Sequence, residues 1–335
     1  MENNVASIRK LIKGISKAVI VMHRGPDGDA VGSALGWSRL LKTENVETVV
    51  VAPDAFPGFL AWLPGAAEVL IYENKADEVK RALGASDAVF CLDFNAPDRM
   101  GKASEAVTEA GKPIVVIDHH RFPKDFAAYY YVDDTACATA EMIFRLAGEL
   151  GFEDRIDRET ALCLYTGLVT DTGSFRFSSV NADVLRIAAS LLDTGMHHTD
   201  IYDHVYDNNR LDQLKLKGYA LSEKTVVTGH GKAAYISLTA RELERFNFRP
   251  GDTEGLVNYA LGISGVEVAA FFAEKDDLIK ISLRSKGVDV NALAGEHFDG
   301  GGHIFAAGGR SKTGMEATVR KFESLVNELF AEPAA

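Results

Sequence analysis

Ala18-Val19-Ile20-Val21-Met22-His23-Arg24-Gly25-Pro26-Asp27-Gly28-Asp29-Ala30 decides the fold class. The apolar run from Ala18 to Met22 reads as a buried strand, and the stretch from Ala30 to Lys42 as a helix. Pro26 and Gly28 between them favour a tight turn. The same grammar recurs downstream. Val46 to Ala52, Asp87 to Leu92 and Pro113 to Ile117 are further apolar runs, bounded by turn signals and separated by helical patterns. Such spacing implies βαβ units around a largely parallel sheet. In sheets of that kind, ligands gather beyond the carboxyl ends of the strands.

Further along, Arg158 to Val169 is helical in pattern, and Asn181 to Thr194 and Asp200 to Leu221 read as successive helices. After about Ser222 the texture changes to shorter strands, Ala233 to Leu238, Val266 to Ala273 and Leu278 to Leu283, with helices between them. The expected organisation is an α/β protein. A domain with a parallel sheet covers 1–195, a helical linker 196–222, and a smaller α+β domain 223–335, with a cleft between the domains. Apolar content of 47% and charged content of 25% are those of a soluble globular chain. Met1-Glu2-Asn3-Asn4 lacks the basic start of a secretory signal, and no apolar stretch is long enough to cross a bilayer, so the expected place is the cytoplasm, away from membranes. A net charge of −12 argues against broad grip on long duplex DNA. Cys91, Cys137 and Cys163 stand too far apart for a paired-cysteine site and read as small buried residues.

Four polar clusters carry chemistry. His23, Asp27 and Asp29 lie in the turn after the first strand, where the two carboxylates can converge; a plain turn with Asp29 capping the next helix accounts for them equally well. Asp93 follows the strand ending at Leu92, a position more often taken by a turn or cap residue. Asp118-His119-His120 leaves the strand ending at Ile117 and is harder to explain as structure, because histidine is the commonest metal ligand and an acidic neighbour can orient its ring. Asp171 ends an apolar helix, where a capped helix end is the ordinary reading. Oxygen and nitrogen donors without thiolate favour Mn²⁺ or Mg²⁺ over structural zinc. Two such ions roughly 3.5–4 Å apart polarise a phosphoryl oxygen and activate water, and one bridging Asp is the natural way to hold the pair. In the second half, Arg284 and Lys286 end a strand, and Gly300-Gly301-Gly302-His303 follows shortly. Glycines let backbone N–H groups approach an anion and Arg284 can grip phosphate in a fork. A flexible loop and a solvated surface charge explain each feature taken alone.

The order and spacing of these motifs resemble the DHH phosphoesterase superfamily, in the subfamily with a C-terminal DHHA1 domain, and within it the bacterial nano-RNases. His23 to Asp29 is similar to the first motif, Asp93 to the second, Asp118-His119-His120 to the eponymous triplet and Asp171-Thr172-Gly173 to the fourth, while Gly300 to His303 resembles the DHHA1 signature. The resemblance implies that His23 and Asp27 hold one Mn²⁺, that Asp29, His119 and Asp171 hold the other, and that Asp93 bridges both. It implies that His120 contacts the scissile phosphate, that Asp118 orients a histidine, and that Arg284, Gly301, Gly302 and His303 bind the terminal phosphate or nucleotide, with Lys286 a looser member of that group. The implied activity is hydrolysis of short oligoribonucleotides, of dinucleotides and of 3′-phosphoadenosine 5′-phosphate. The helical linker is able to support a homodimer. A polyphosphatase and a non-catalytic nucleotide-binding or RNA-binding module are the competing classes.

Overall fold

The computed structural model describes residues 4–275 and 277–331, so the leader reading on Met1-Glu2-Asn3 and the last four positions of the expected second domain lie outside the described residues. The chain divides into two compact units, one ending at Asn208 and one starting at Asn209.

The first unit opens with α1 (Val5–Gly14) and then alternates strands and helices: β1 (Lys17–Val21), α2 (Gly28–Thr43), β2 (Glu47–Ala52), β3 (Leu70–Ile71), α3 (Tyr72–Ala85), β4 (Ala88–Leu92), α4 (Ala103–Glu109), β5 (Ile114–Asp118) and β6 (Tyr129–Val132). Four helices complete it: α5 (Thr139–Leu150), α6 (Arg158–Asp171), α7 (Ala182–Asp193) and α8 (His198–Val205). The six strands pair in parallel, in the order β3-β2-β1-β4-β5-β6. Both faces are covered, which is why the strands read as unbroken apolar runs. Ile20, Phe90 and Ile117 pack with α2, α5 and α6 on one face; Val21, Cys91 and Val116 pack with α3 and α4 on the other. The chain winds outward from β1 to β3, then returns to β4 on the other side of β1. That reversal leaves a crevice past the carboxyl ends of β1 and β4.

Helix α2 is set by its glycines. Gly28, Gly32 and Gly36 recur every fourth residue along one face, and a Cβ at Gly32 would lie 2.4 Å from the backbone carbonyl oxygen of Cys163 in α6. From the other side, a Cβ at Gly167 of α6 would come within 2.6 Å of Asp29 Oδ1. The two helices therefore touch backbone to backbone, which carries Asp29 and Asp171 toward each other.

The second unit comprises α9 (Leu211–Glu223), β7 (Thr225–Thr228), β8 (Ala233–Leu238), α10 (Ala240–Arg245), α11 (Leu256–Leu261), β9 (Val268–Lys275), β10 (Leu278–Ser285), α12 (Val290–His297), β11 (Gly301–His303), β12 (Ala306–Ser311) and α13 (Met315–Leu329). Its sheet runs β11-β12-β10-β9-β8-β7, with only the β8–β9 pair parallel. Helices α12 and α13 cover one face, and α9, α10 and α11 pack on the other over β8 and β9. This matches the α/β unit and smaller α+β unit read from the sequence. The stretch Asp200 to Leu221, read as one helix, is two: α8 stops at Val205 and α9 starts at Leu211. Asp207, Asn208 and Asn209 fall between them, and such side chains compete with the helical backbone for hydrogen bonds. Ile201 packs in the first unit's core and Leu216 in the second's. Among the described residues, no helix is long and apolar enough to cross a membrane.

Gly32→Ala is expected to lower stability by about 1–3 kcal/mol, because the added methyl meets a backbone oxygen that cannot rotate away. Gly84→Ala, in α3 with nothing within 4 Å of the new Cβ, is the control and holds or raises the midpoint. Urea denaturation of both variants checks the pair.

Candidate metal centre

The sequence candidates of the first unit meet at the crevice. His23 follows β1, Asp93 follows β4, and Asp118 closes β5 with His119 and His120 just beyond it. Asp29 lies in the first turn of α2 and Asp171 is the last residue of α6. Among the groups of donors that result, each with its ligand atoms all within 4.8 Å of one another, two matter most: His23, Asp27 and Asp93, and Asp29, His119 and Asp171. Asp93 faces both. Its Oδ2 is 3.4 Å from His23 Nε2, and its Oδ1 is 3.5 Å from His119 Nε2. His119 Nε2 also lies 3.5 Å from Asp171 Oδ2 and 3.9 Å from Asp29 Oδ2, while His23 Nε2 is 3.8 Å from Asp27 Oδ2. No cysteine belongs to either group.

The ordinary explanations of these residues fail one by one. The cap of α2 is Asp27, not Asp29: Asp27 Oδ1 accepts from the amides of Asp29 and Ala30 at 3.1 and 3.0 Å. Asp93 is 2% exposed, unlike an ordinary solvated turn residue, and has φ 66, in the left-handed region that Asp tolerates better than most side chains. Asp171 puts a carboxylate at a helix C-terminus, where the helix dipole opposes negative charge. Helix α6 is capped instead by Thr172, whose amide donates to the carbonyl of Leu168.

Backbone and hydroxyl groups hold the donors in place. Asp29 accepts from the amides of Thr139 and Ala140 at the start of α5, at 2.6 and 2.9 Å, and from Ser33 Oγ at 3.0 Å. Thr139 Oγ1 donates to Asp93 Oδ1 at 2.9 Å. Both histidines have Nδ1 against a backbone carbonyl, Arg24 O for His23 at 2.9 Å and Ala136 O for His119 at 3.2 Å. A carbonyl can only accept, so Nδ1 carries the proton and Nε2 is left to face the carboxylates, the tautomer a metal requires. His120 Nδ1 lies 2.7 Å from Asp118 Oδ1, and the fully buried Asp118 Oδ2 has no hydrogen-bond partner among the described residues. Thr139 was not among the sequence candidates, since half of its contribution is a backbone amide that no residue type announces.

Charge balance points the same way. Burial opposes a charged ring at His23, but Asp93 and Asp27 outweigh it and lift the ring to about 9. Burial likewise opposes charge at His119, and Asp93 and Asp171 overcome it, again upward. Asp29 is pushed up by burial and by the charges of Asp93 and Asp171. Burial raises Asp171 to about 6; His119 pulls it down, while Asp27 and Asp93 push it up. Asp93 alone goes down: burial resists, yet its hydrogen bonds to His119 and His23 prevail. Left to themselves, these side chains neutralise their crowding with protons. Divalent cations would do so with these donors in the protonation states that ligation needs.

Comparison with known proteins agrees with this geometry. The model of the DHH family N-terminal domain matches residues 17–168, and that of the DHHA1 domain matches residues 230–332. A Thermus thermophilus protein named bifunctional oligoribonuclease and PAP phosphatase NrnA is 32% identical over 92% of this chain and 87% of its own. The chain belongs to the DHH family. A Bacillus subtilis relative of the same name is 29% identical over 89% of this chain and 91% of its own. An exopolyphosphatase-related protein from Bacteroides fragilis superposes with a TM-score of 0.92 at 38% identity, covering 98% of this chain and 97% of that one. RecJ from Thermus thermophilus in complex with Mn²⁺ shares the fold alone, with a TM-score of 0.54 at 14% identity over 98% of this chain and 54% of that one.

In this DHH-family protein two candidates of the second unit, Arg284 and His303, also come together. Arg284 on β10 and His303 on β11 are both in register with Ala306 of β12 between them, so the three share one row and one face of the sheet. The glycines serve close packing rather than flexibility: a Cβ at Gly300 would lie 2.0 Å from Gly308 O, and one at Gly302 would lie 2.6 Å from Ala306 O. The amide of Gly302 donates to Asn291 Oδ1 at 2.8 Å, while Gly301 is exposed on the same strand. Arg284 Nη1 donates to Leu283 O at 2.9 Å and Lys286 Nζ to Val266 O at 3.0 Å.

Divalent cations are expected to bind with release of protons and to stabilise the chain. At one hundred times the dissociation constant the gain is about 2.7 kcal/mol. Because the protons on His23, His119 and Asp29 must leave, affinity rises with pH from mildly acidic values toward pH 9. Calorimetric titration with Mn²⁺ in two buffers of different ionisation enthalpy reads both effects, and unchanged heats between buffers would contradict the charge balance.

Proposed function

We propose that this chain is a metal-dependent phosphoesterase, exonuclease-like, that hydrolyses short oligoribonucleotides and dinucleotides and removes a phosphate from 3′-phosphoadenosine 5′-phosphate. The observation that carries the reading is the carboxylate of Asp93, with one oxygen turned to each of two donor groups. The names of the Thermus thermophilus and Bacillus subtilis relatives support the substrate class.

His23 and Asp27 would hold one cation and Asp29, His119 and Asp171 the other, with Asp93 shared. Mn²⁺ is assigned first and Mg²⁺ second, because imidazoles stand among the oxygen donors. Such ions, when bound, polarise a phosphoryl oxygen and lower the pKa of water. The protein side of the chemistry is positioning. Asp118 accepts the Nδ1–H of His120 and fixes that ring, which in its doubly protonated form donates from Nε2 to a phosphoryl oxygen as negative charge builds there. Water adds to phosphorus, the ester P–O bond breaks, and the departing oxygen leaves as an alcohol once protonated. In the second unit, Arg284 and His303 are assigned to the substrate's terminal phosphate. Gly301 and Gly302 keep the strand beside them free of side chains, and Lys286 adds nearby positive charge. A clamp on the terminal phosphate favours short substrates over long ones.

A second reading, hydrolysis of inorganic polyphosphate, is favoured by the name of the Bacteroides fragilis structure. Competition between polyphosphate and a dinucleotide in one assay separates the two. Asp93→Asn is expected to cut turnover of a diadenylate by about 10²-fold or more. Retention of Mn²⁺-dependent hydrolysis by this variant would remove Asp93 from its bridging role. Arg284→Ala is expected to raise KM for di- to pentanucleotides with less change in kcat; an intact preference for short chains would refute the clamp.

A further inference from the structure

The loop that follows the histidine pair holds an oddity that the metal centre does not explain. Phe122 is 79% exposed, the highest value of any large hydrophobic side chain among the described residues. Its φ is 56, on the left-handed side, where a bulky residue is strained. It also precedes Pro123, whose ring further narrows the conformations open to its neighbour. An exposed apolar ring gains nothing from folding, so strain spent on displaying one points to use elsewhere.

The display is held firmly. Asn95 Nδ2 donates to the carbonyl of Arg121 at 2.6 Å, and the amide of Lys124 donates back to the carbonyl of Asn95 at 2.8 Å. Asn95 stands two residues after Asp93, itself left-handed at φ 66, and Phe122 stands two residues after His120. Two residues of chain span at most about 7 Å. The loop is thus stapled to the turns at the ends of β4 and β5 that carry the metal ligands, and cannot drift from them as a free loop would. Arg121 and Lys124 lie beside Phe122 in sequence, with side chains 39% and 66% exposed; each also pairs with a carboxylate, Arg121 with Asp134 at 3.3 Å and Lys124 with Asp98 at 3.4 Å. An exposed aromatic ring is one of the elements from which single-stranded nucleic-acid surfaces are built, because every base offers a face that can stack on it.

We propose that Phe122 is a stacking platform for a nucleobase of the substrate, so that the metal centre selects nucleotides over phosphates that lack a base. This rests on the phosphoesterase reading above and adds a specificity-determining residue to it. The occupant is a base rather than another protein because the ring is a single exposed side chain fixed beside the turns that carry the metal ligands, where a substrate's nucleotide must lie.

Phe122→Ala, Phe122→Leu and Phe122→Trp in the full chain test it, with diadenylate and its abasic counterpart as paired substrates. The Ala and Leu variants are expected to raise KM for diadenylate about 10- to 100-fold and to leave the abasic substrate unchanged, while Trp restores wild-type values. In Mg²⁺, the indole emission that the Phe122→Trp variant adds to the wild-type spectrum is expected to be quenched by adenosine 5′-monophosphate and not by ribose 5-phosphate. Equal losses on both substrates, no loss at all, or rescue by Leu would overturn the proposal, as would equal quenching by both ligands. If the wild-type chain hydrolyses neither substrate, the phosphoesterase reading fails, and the quenching comparison still decides the role of Phe122.

Discussion

Asp29 holds its carboxylate against the first amides of α5 while only 1% of the residue reaches solvent, and the rest of the first unit is arranged around that fact. A buried anion without partners costs several kcal/mol, and the penalty grows when Asp93 and Asp171 stand nearby. Helix α5 answers it with two oriented N–H groups and the positive end of its dipole. The same residue, Thr139, hands its hydroxyl to Asp93. One helix terminus therefore sets the positions of two carboxylates drawn from two different elements, and the histidines are oriented by carbonyls that can only accept. Nothing in the centre depends on a long flexible side chain finding its place.

That arrangement requires α2 and α6 to approach more closely than ordinary side chains allow. Glycines on α2 and Gly167 on α6 make the approach possible. The ligands sit on turns and helix ends, while the backbone contact that brings them together runs along the helices behind them. Core packing and site geometry are in this sense one constraint seen from two sides.

The parts of this fold that were legible in the sequence are those whose physics is written in residue type. Strands buried on both faces must be apolar throughout, so β1, β2, β4 and β5 stood out as runs. Their polar ends then drew the eye to His23, Asp93 and Asp118. Edge strands carry weaker signals. The two-residue β3 and β6, a run of tyrosines ending in Val132, went unread. Helix α5 also escaped notice although it is amphipathic, because the Asp133-Asp134-Thr135 turn before it reads as a plain loop and its role is played by amide groups that every residue possesses. The cap of α2 is misread for a related reason: the sequence points to Asp29, but Asp27 suits the position equally well by type, and the closed turn gives it the role. The glycines of the second unit suit close approach to an anion or a flexible loop by residue type, yet they lie in a tight hairpin where neighbouring backbone leaves no room for a methyl at Gly300 or Gly302.

Asp27 does two things with its two oxygens, closing the first turn of α2 with one and facing His23 with the other. Winding that helix and assembling that half of the centre are consequently a single event. A chain in which the turn has frayed has lost a ligand as well as a cap, and a cation held there would in turn keep the helix from unwinding. Local order and chemical competence rise and fall together at this corner of the molecule, without any separate moving part to couple them.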